Sequence, residues 1–146
     1  LFRIYKFRTM VVDADQIGTL VTTDNDVRVT KTGKKLRKCR LDEIPQLLNI
    51  LTGDMTFVGT RPEVPKYVAH YTDEMKATLL LPAGVTSQAS IEYKDEEQIL
   101  RESEDVDTIY IERVLPEKMK INLTYLRTMK LSLEGLILIK TVLSII

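Results

Sequence analysis

Apolar positions recur at helical spacing in several stretches of the chain. Ile44, Leu47, Leu48 and Leu51 fall on one stripe, and Gly53 stands just past its end. Pro45 is tolerated in a first turn, where the amides have no intrahelical acceptor, so the spacing predicts a helix starting at Leu41 or Asp42. Residues 63–81 read as helical after Pro65, with Val64, Val68, Tyr71, Met75 and Leu79 facing a core. Residues 107–129 hold two helical patterns parted by Leu115-Pro116-Glu117-Lys118. Tyr110, Ile111 and Val114 form one stripe, and Met119, Leu123, Leu126 and Met129 the other. Residues 131–146 are strongly apolar, broken by Glu134 and Lys140. At about 1.5 Å per residue that stretch is too short to cross a bilayer core of about 30 Å. A core helix, an interfacial helix and an oligomer contact are all open to it.

Shorter elements complete the pattern. Residues 1–10 mix aromatic, β-branched and basic side chains and predict a strand. A short helix is expected over 11–17, then a polar loop through Gly18, Asp24, Asn25 and Asp26, with Asp13 and Asp15 as surface charges. Thr32-Gly33 introduces a short helix through Leu36. Residues 55–58 read as a buried strand and Gly59-Thr60-Arg61-Pro62 as a turn. Ile99 and Leu100 mark a short amphipathic helix inside the acidic stretch 92–107, most of whose eight acids are expected to face solvent. The class is α+β: a small, mostly helical domain with a few short strands around its site and an amphipathic C-terminal helix.

Composition narrows this picture little. At 146 residues and 44% hydrophobic content the chain suits one domain with a real core. Net charge is zero, so overall charge names no partner. One cysteine, Cys39, excludes an intramolecular disulfide and suits a reducing compartment. One histidine and one cysteine argue against a zinc site, and His70 reads as structural or surface. No signal-peptide pattern and no apolar run of 18 residues is present.

Local charge is more informative. Seven basic residues lie between Arg28 and Arg40 with no acid among them, and they lead into adjacent carboxylates, Asp42 and Glu43. A solvated face, an anion site, an anionic lipid surface and nucleic acid are the readings of the basic run. Zero net charge and the lack of aromatics in the run weigh against nucleic acid. At the positive end of a helix the two carboxylates stay ionised. They cap that helix, bind a hard cation such as Mg2+, or act as nucleophiles. Arg61 offers a planar fork suited to phosphate oxygens.

Five motifs in order carry a resemblance. They are Lys6-Phe7-Arg8-Thr9-Met10, Leu36-Arg37, Leu41-Asp42-Glu43-Ile44-Pro45-Gln46-Leu47, Gly53-Asp54-Met55 and Val58-Gly59-Thr60-Arg61-Pro62. Together they closely resemble the bacterial sugar transferases, the monotopic phosphoglycosyl transferases that start lipid-linked glycan assembly. The match is dense over residues 2–62 and thinner to the end.

The resemblance implies an enzyme that moves a sugar-1-phosphate from a nucleotide diphosphosugar, usually a UDP-sugar, to polyprenol phosphate. It implies Asp42 as nucleophile and, with Glu43, a Mg2+ site. Arg37, Arg61, Lys6 and Arg8 would serve the substrate phosphates. It also implies the cytoplasmic face of the inner membrane, and a second copy of the chain is a further candidate partner. Members carry a hydrophobic re-entrant helix before the first motif, so residues 1–146 are expected to be an N-terminally truncated catalytic domain. Thr60 stands where Pro is commoner, Ala83 and Ser87 depart from a Pro-Gly-Ile-Thr-Gly loop, and Lys94 would replace an arginine of an Asn-Gly-Arg segment. The alternatives are a non-catalytic membrane-surface scaffold and an RNA-binding module.

Overall fold

The computed structural model describes residues 1–17 (Asp15 as backbone), 22, 26–96, 100 and 105–144. The expected residues Gly18, Asp24, Asn25 and Ile99 lie outside these, as do Glu97, Glu102 and Glu104. The architecture is α+β, as the pattern predicts: short helices around a two-stranded parallel sheet.

The sheet is small and tightly specified. β1 (Met55–Val58) pairs with β2 (Ala83–Thr86), with Met55 opposite Ala83 and Val58 opposite Thr86. β2 falls where a loop was expected, because Ala83-Gly84-Val85-Thr86 completes the backbone ladder of β1. Gly84 backs directly onto Gly59, whose amide nitrogen would lie 2.1 Å from a Cβ at position 84. Side chains are thus excluded where the Gly59 turn leaves the sheet.

Helices flank the sheet. α1 (Lys31–Lys38) is capped by Thr30, whose hydroxyl accepts from the Gly33 amide. The helix predicted from Leu41 is split. Leu41–Glu43 form one 3-10 turn, and α2 (Gln46–Leu51) follows Pro45 and ends before Gly53. Its apolar stripe faces outward: Leu47, Leu48 and Leu51 are exposed, while Gln46 and Asn49 are buried. Residues 63–81 are not one helix either. α3 (Pro65–Val68), α4 (Asp73–Lys76) and a 3-10 turn (Ala77–Leu80) break it, and Val64 and Leu79 are exposed. Polar caps explain the break, since Thr72 accepts from the Met75 amide and restarts the chain.

α5 (Gln88–Glu92) follows β2, and α6 (Val106–Ile109) runs through a π-helical turn (Tyr110–Val114) into α7 (Leu115–Thr128). Pro116 therefore starts α7 instead of breaking it. α8 (Leu131–Leu143) closes the described chain. It buries Ile137 against Val58 and Tyr125, and Thr141 meets Thr86 of β2 at 2.7 Å. Leu136, Ile139, Val142 and Leu143 are left exposed.

The main core packs Tyr67, Tyr71, Leu100, Tyr110, Val114, Leu115 and Met119 together. The Tyr67 and Tyr110 rings lie 4.6 Å apart at 46°. Residues 1–10 form no strand. They run extended, with one bridge, Met10 to Val29, and are held mainly by side chains. In the segment 11–17 only Ala14–Gln16 turns, as a 3-10 helix.

Substituting Gly84 by Ala should destabilise the fold by about 1–3 kcal/mol or more, since the backbone of Gly59 cannot yield. Gly135→Ala, in open space on α8, should instead raise stability by about 0.5–1 kcal/mol. Urea titrations of the two variants against the parent chain measure both.

Candidate active site

Three backbone segments converge on the Asp42–Glu43 pair. The extended N-terminal segment is strapped to α2 by Asn49, which is fully buried. Asn49 Oδ1 accepts from the Tyr5 amide at 3.0 Å, and its Nδ2 donates to the Arg3 carbonyl at 2.7 Å. The Phe7 amide donates to the Asp42 carbonyl at 2.9 Å. Lys6, between these two anchors, is thereby set over Glu43. α1 is held against the same segment at Thr9: a Cβ at Gly33 would sit 2.0 Å from the Thr9 carbonyl oxygen. Arg40 then turns the chain in the left-handed region, φ 54°, and delivers Leu41–Glu43 beneath α1.

Glu43 is clamped. Arg61 donates to both of its oxygens, through Nη1 to Oε2 at 3.1 Å and through Nη2 to Oε1, and Nη1 also donates to the Val85 carbonyl at 3.2 Å. Lys6 Nζ donates to Oε1 at 3.0 Å. Burial pushes the Glu43 carboxyl up. The bonds and charge of Arg61, then those of Lys6, outweigh burial and bring it from the ordinary 4.5 down to about 2. Glu43 is therefore an ionised, fully engaged carboxylate.

Asp42 is the opposite case. It is buried, and its Oδ1 has no hydrogen-bond partner. A buried carboxylate oxygen without a partner is costly unless a ligand meets it. Asp42 lines a cavity of about 730 Å3. Among the described residues eight cations and five carboxylates line it, an excess of positive charge suited to a polyanionic substrate.

The cavity walls have distinct chemistry. Lys34, Arg37 and Lys38 of α1 form one wall, with Arg40 below. Arg37 Nε donates to Thr9 Oγ1 at 3.0 Å, which fixes the guanidinium. Tyr93, Lys94, Asp95 and Glu96 line the cavity as a second group.

Over residues 1–146 the sequence matches the family described as bacterial sugar transferase. The chain belongs to that family. It is 33% identical over 148 residues to the UDP-N-acetylgalactosamine-undecaprenyl-phosphate N-acetylgalactosaminephosphotransferase of Aeromonas hydrophila, covering 99% of this chain and 32% of that protein. It is 43% identical over 90 residues to an uncharacterized sugar transferase of Bacillus subtilis, covering 62% of this chain and 44% of that one. With the UDP-glucose:undecaprenyl-phosphate glucose-1-phosphate transferase of Klebsiella pneumoniae it shares 35% over 116 residues, 75% of this chain and 25% of the relative. The chain thus spans less than half the length of each of these three relatives.

Six of the seven site residues expected for this bacterial sugar transferase come together at the cavity: Lys6, Arg37, Asp42, Glu43, Arg61 and Lys94. Arg8 is exposed and lies outside the cavity lining. Lys6 and Arg61 are both engaged with Glu43, whereas Lys94 is exposed at the rim. Arg28, from the same basic run, is buried against Asp26 and the Ala14 carbonyl instead.

Sequence reasoning missed Thr9, Asn49 and Lys118. Lys118 lines the cavity and is buried against Glu63, Glu96 and Tyr110. The Leu115-Pro116-Glu117-Lys118 segment, which parts two helical patterns and has a similar counterpart in the family, was a visible signal for it.

The depressed Glu43 value stabilises the fold above pH 4.5, and this stability is lost as pH falls through 4.5 toward 2. Glu43→Gln should therefore cost about 2–4 kcal/mol at pH 7. The gap between variant and parent should narrow as pH falls below 4.5. Denaturant titrations at stepped pH read both effects.

Proposed function

We propose that this chain transfers a sugar-1-phosphate from a UDP-sugar to polyprenol phosphate through an aspartyl-phosphosugar on Asp42. The observation that carries the reading is the buried, unpartnered Oδ1 of Asp42 in a cation-rich cavity. The names of the Aeromonas and Klebsiella relatives, which pair UDP-sugars with undecaprenyl phosphate, supply the substrate class.

An Asp42 carboxylate oxygen attacks the β-phosphorus of the donor. The bond from that phosphorus to the bridging oxygen breaks, and the nucleoside monophosphate leaves with the electron pair. A phosphate oxygen of the polyprenol phosphate then attacks the same phosphorus. The acyl phosphate bond breaks, Asp42 returns as a carboxylate, and a polyprenyl diphosphosugar is released. Both nucleophiles are anions, so neither step needs a base. Covalent catalysis divides one hard displacement into two. The wall of Arg37, Lys38 and Arg40 meets the phosphate charge, and Glu43 holds Arg61 and Lys6 in place beside it.

The residues also suit a Mg2+ ion, which commonly takes one or two carboxylates plus substrate phosphate oxygens and water. Asp42 has an oxygen to give, while both oxygens of Glu43 are already held by cations. Among the described residues no group of three acidic, cysteine or histidine side chains forms a complete cage. Asp42 would hold the ion together with the donor diphosphate. When bound, such an ion neutralises diphosphate charge.

The reading places the chain at the cytoplasmic face of the inner membrane. Among the described residues no helix is long and apolar enough to cross a bilayer. The outward stripe of α2 and the exposed apolar side chains of α8 support contact with a membrane surface. A scaffold without chemistry would share those surfaces but gives the Asp42 oxygen no use.

With magnesium and a panel of UDP-sugars, intact mass should show one phosphosugar added to the chain, and none on Asp42→Asn. An adduct that survives Asp42→Asn would overturn the assignment.

A further inference from the structure

We infer that Lys118 is a positioning residue: it locks the 93–96 turn, which carries Lys94, to the turn that carries Arg61. The inference rests on the transfer reaction proposed above.

The side chain of Lys118 reaches from α7 to the cavity wall, and the residue is 7% exposed. It donates to Glu96 Oε2 at 2.9 Å and to the Tyr110 hydroxyl at 3.1 Å, and lies 3.5 Å from Glu63 Oε1. The Tyr110 hydroxyl in turn donates to Glu63 Oε1 at 2.5 Å. Glu63 stands two residues after Arg61. Glu96 closes the other turn, its amide donating to the Tyr93 carbonyl at 3.1 Å. The Tyr93 hydroxyl donates to Glu117, the neighbour of Lys118. Two consecutive residues of α7 therefore pin the turn on which Lys94 sits.

Arg61, Glu63 and the turn at residues 93–95 lie outside the helices and strands, and Glu96 follows that turn as a helical residue. Buried ion pairs add little net stability over apolar packing of the same volume. Here one ammonium joins two segments that both contribute residues to the cavity lining, Arg61 from one and Lys94 from the other. Its effect is on geometry: Lys94 and the Arg61–Glu43 clamp are held in a set relation within one cavity lining.

The test uses the whole chain with UDP and magnesium, read by titration calorimetry. Lys94→Ala, Lys118→Met and Glu96→Ala should each weaken UDP binding about tenfold. Glu96→Ala guards against misfolding, because it frees the turn from Lys118 while Lys118 keeps Glu63 and Tyr93 keeps Glu117. Lys118→Arg, which retains charge and donors, should keep most of the affinity. The double variant Lys94→Ala/Lys118→Met should bind no more weakly than either single variant, because Lys118 acts through Lys94. Additive losses, or unchanged affinity in Glu96→Ala, would overturn the inference while the parent chain still forms its adduct. A parent chain that neither binds UDP nor forms an adduct would overturn the transfer reading, and this inference with it.

Discussion

Two neighbouring carboxylates with opposite fates govern this molecule. Glu43 is gripped by Arg61 and Lys6, and Asp42 beside it keeps an oxygen with no partner. Adjacent like charges repel, and burial raises that cost. Neutralising one of them with two cations lets the other stay buried and available. Each cation comes from a different part of the chain. Lys6 requires the N-terminal segment to be strapped to α2 through Asn49, and Arg61 requires the Gly59 turn to leave β1 against β2. The clamp thus ties three segments distant in sequence into one site.

The polar interior extends the same logic. Glu63, Tyr110, Lys118 and Glu96 form a bonded series between the tyrosine-rich core and the cavity. Desolvation raises the Tyr110 hydroxyl far above its ordinary range, and Glu63 adds to this, so it remains a donor. Apolar side chains, meanwhile, are spent on the outside. Leu47, Leu48, Leu51, Ile139 and Leu143 are exposed on α2 and α8.

Much of this was legible in the sequence. The β1 strand, the Gly59–Pro62 turn, the α1 helix and most of the site residues follow from spacing, from turn chemistry and from the family resemblance. The failures share a cause. Helical periodicity marks an apolar face but not which way it points, and the α2 stripe points outward. Side chain to backbone bonds are invisible to pattern, so residues 1–10, held by Asn49, were read as a strand. Thr72 restarts the chain inside a run that is periodic enough to look continuous. Lys118 was overlooked because a lysine in a helix is ordinarily a surface charge.

The central claim is that a covalent intermediate forms before any lipid acceptor arrives. Isotope exchange tests this directly. The chain is incubated with unlabelled UDP-sugar, magnesium and labelled UMP, with no polyprenol phosphate. A reversible first half-reaction carries the label into UDP-sugar, and Asp42→Asn carries none. A chain that transfers sugar phosphate when acceptor is added, yet shows no exchange without it, would contradict the account and point to direct transfer between two bound substrates.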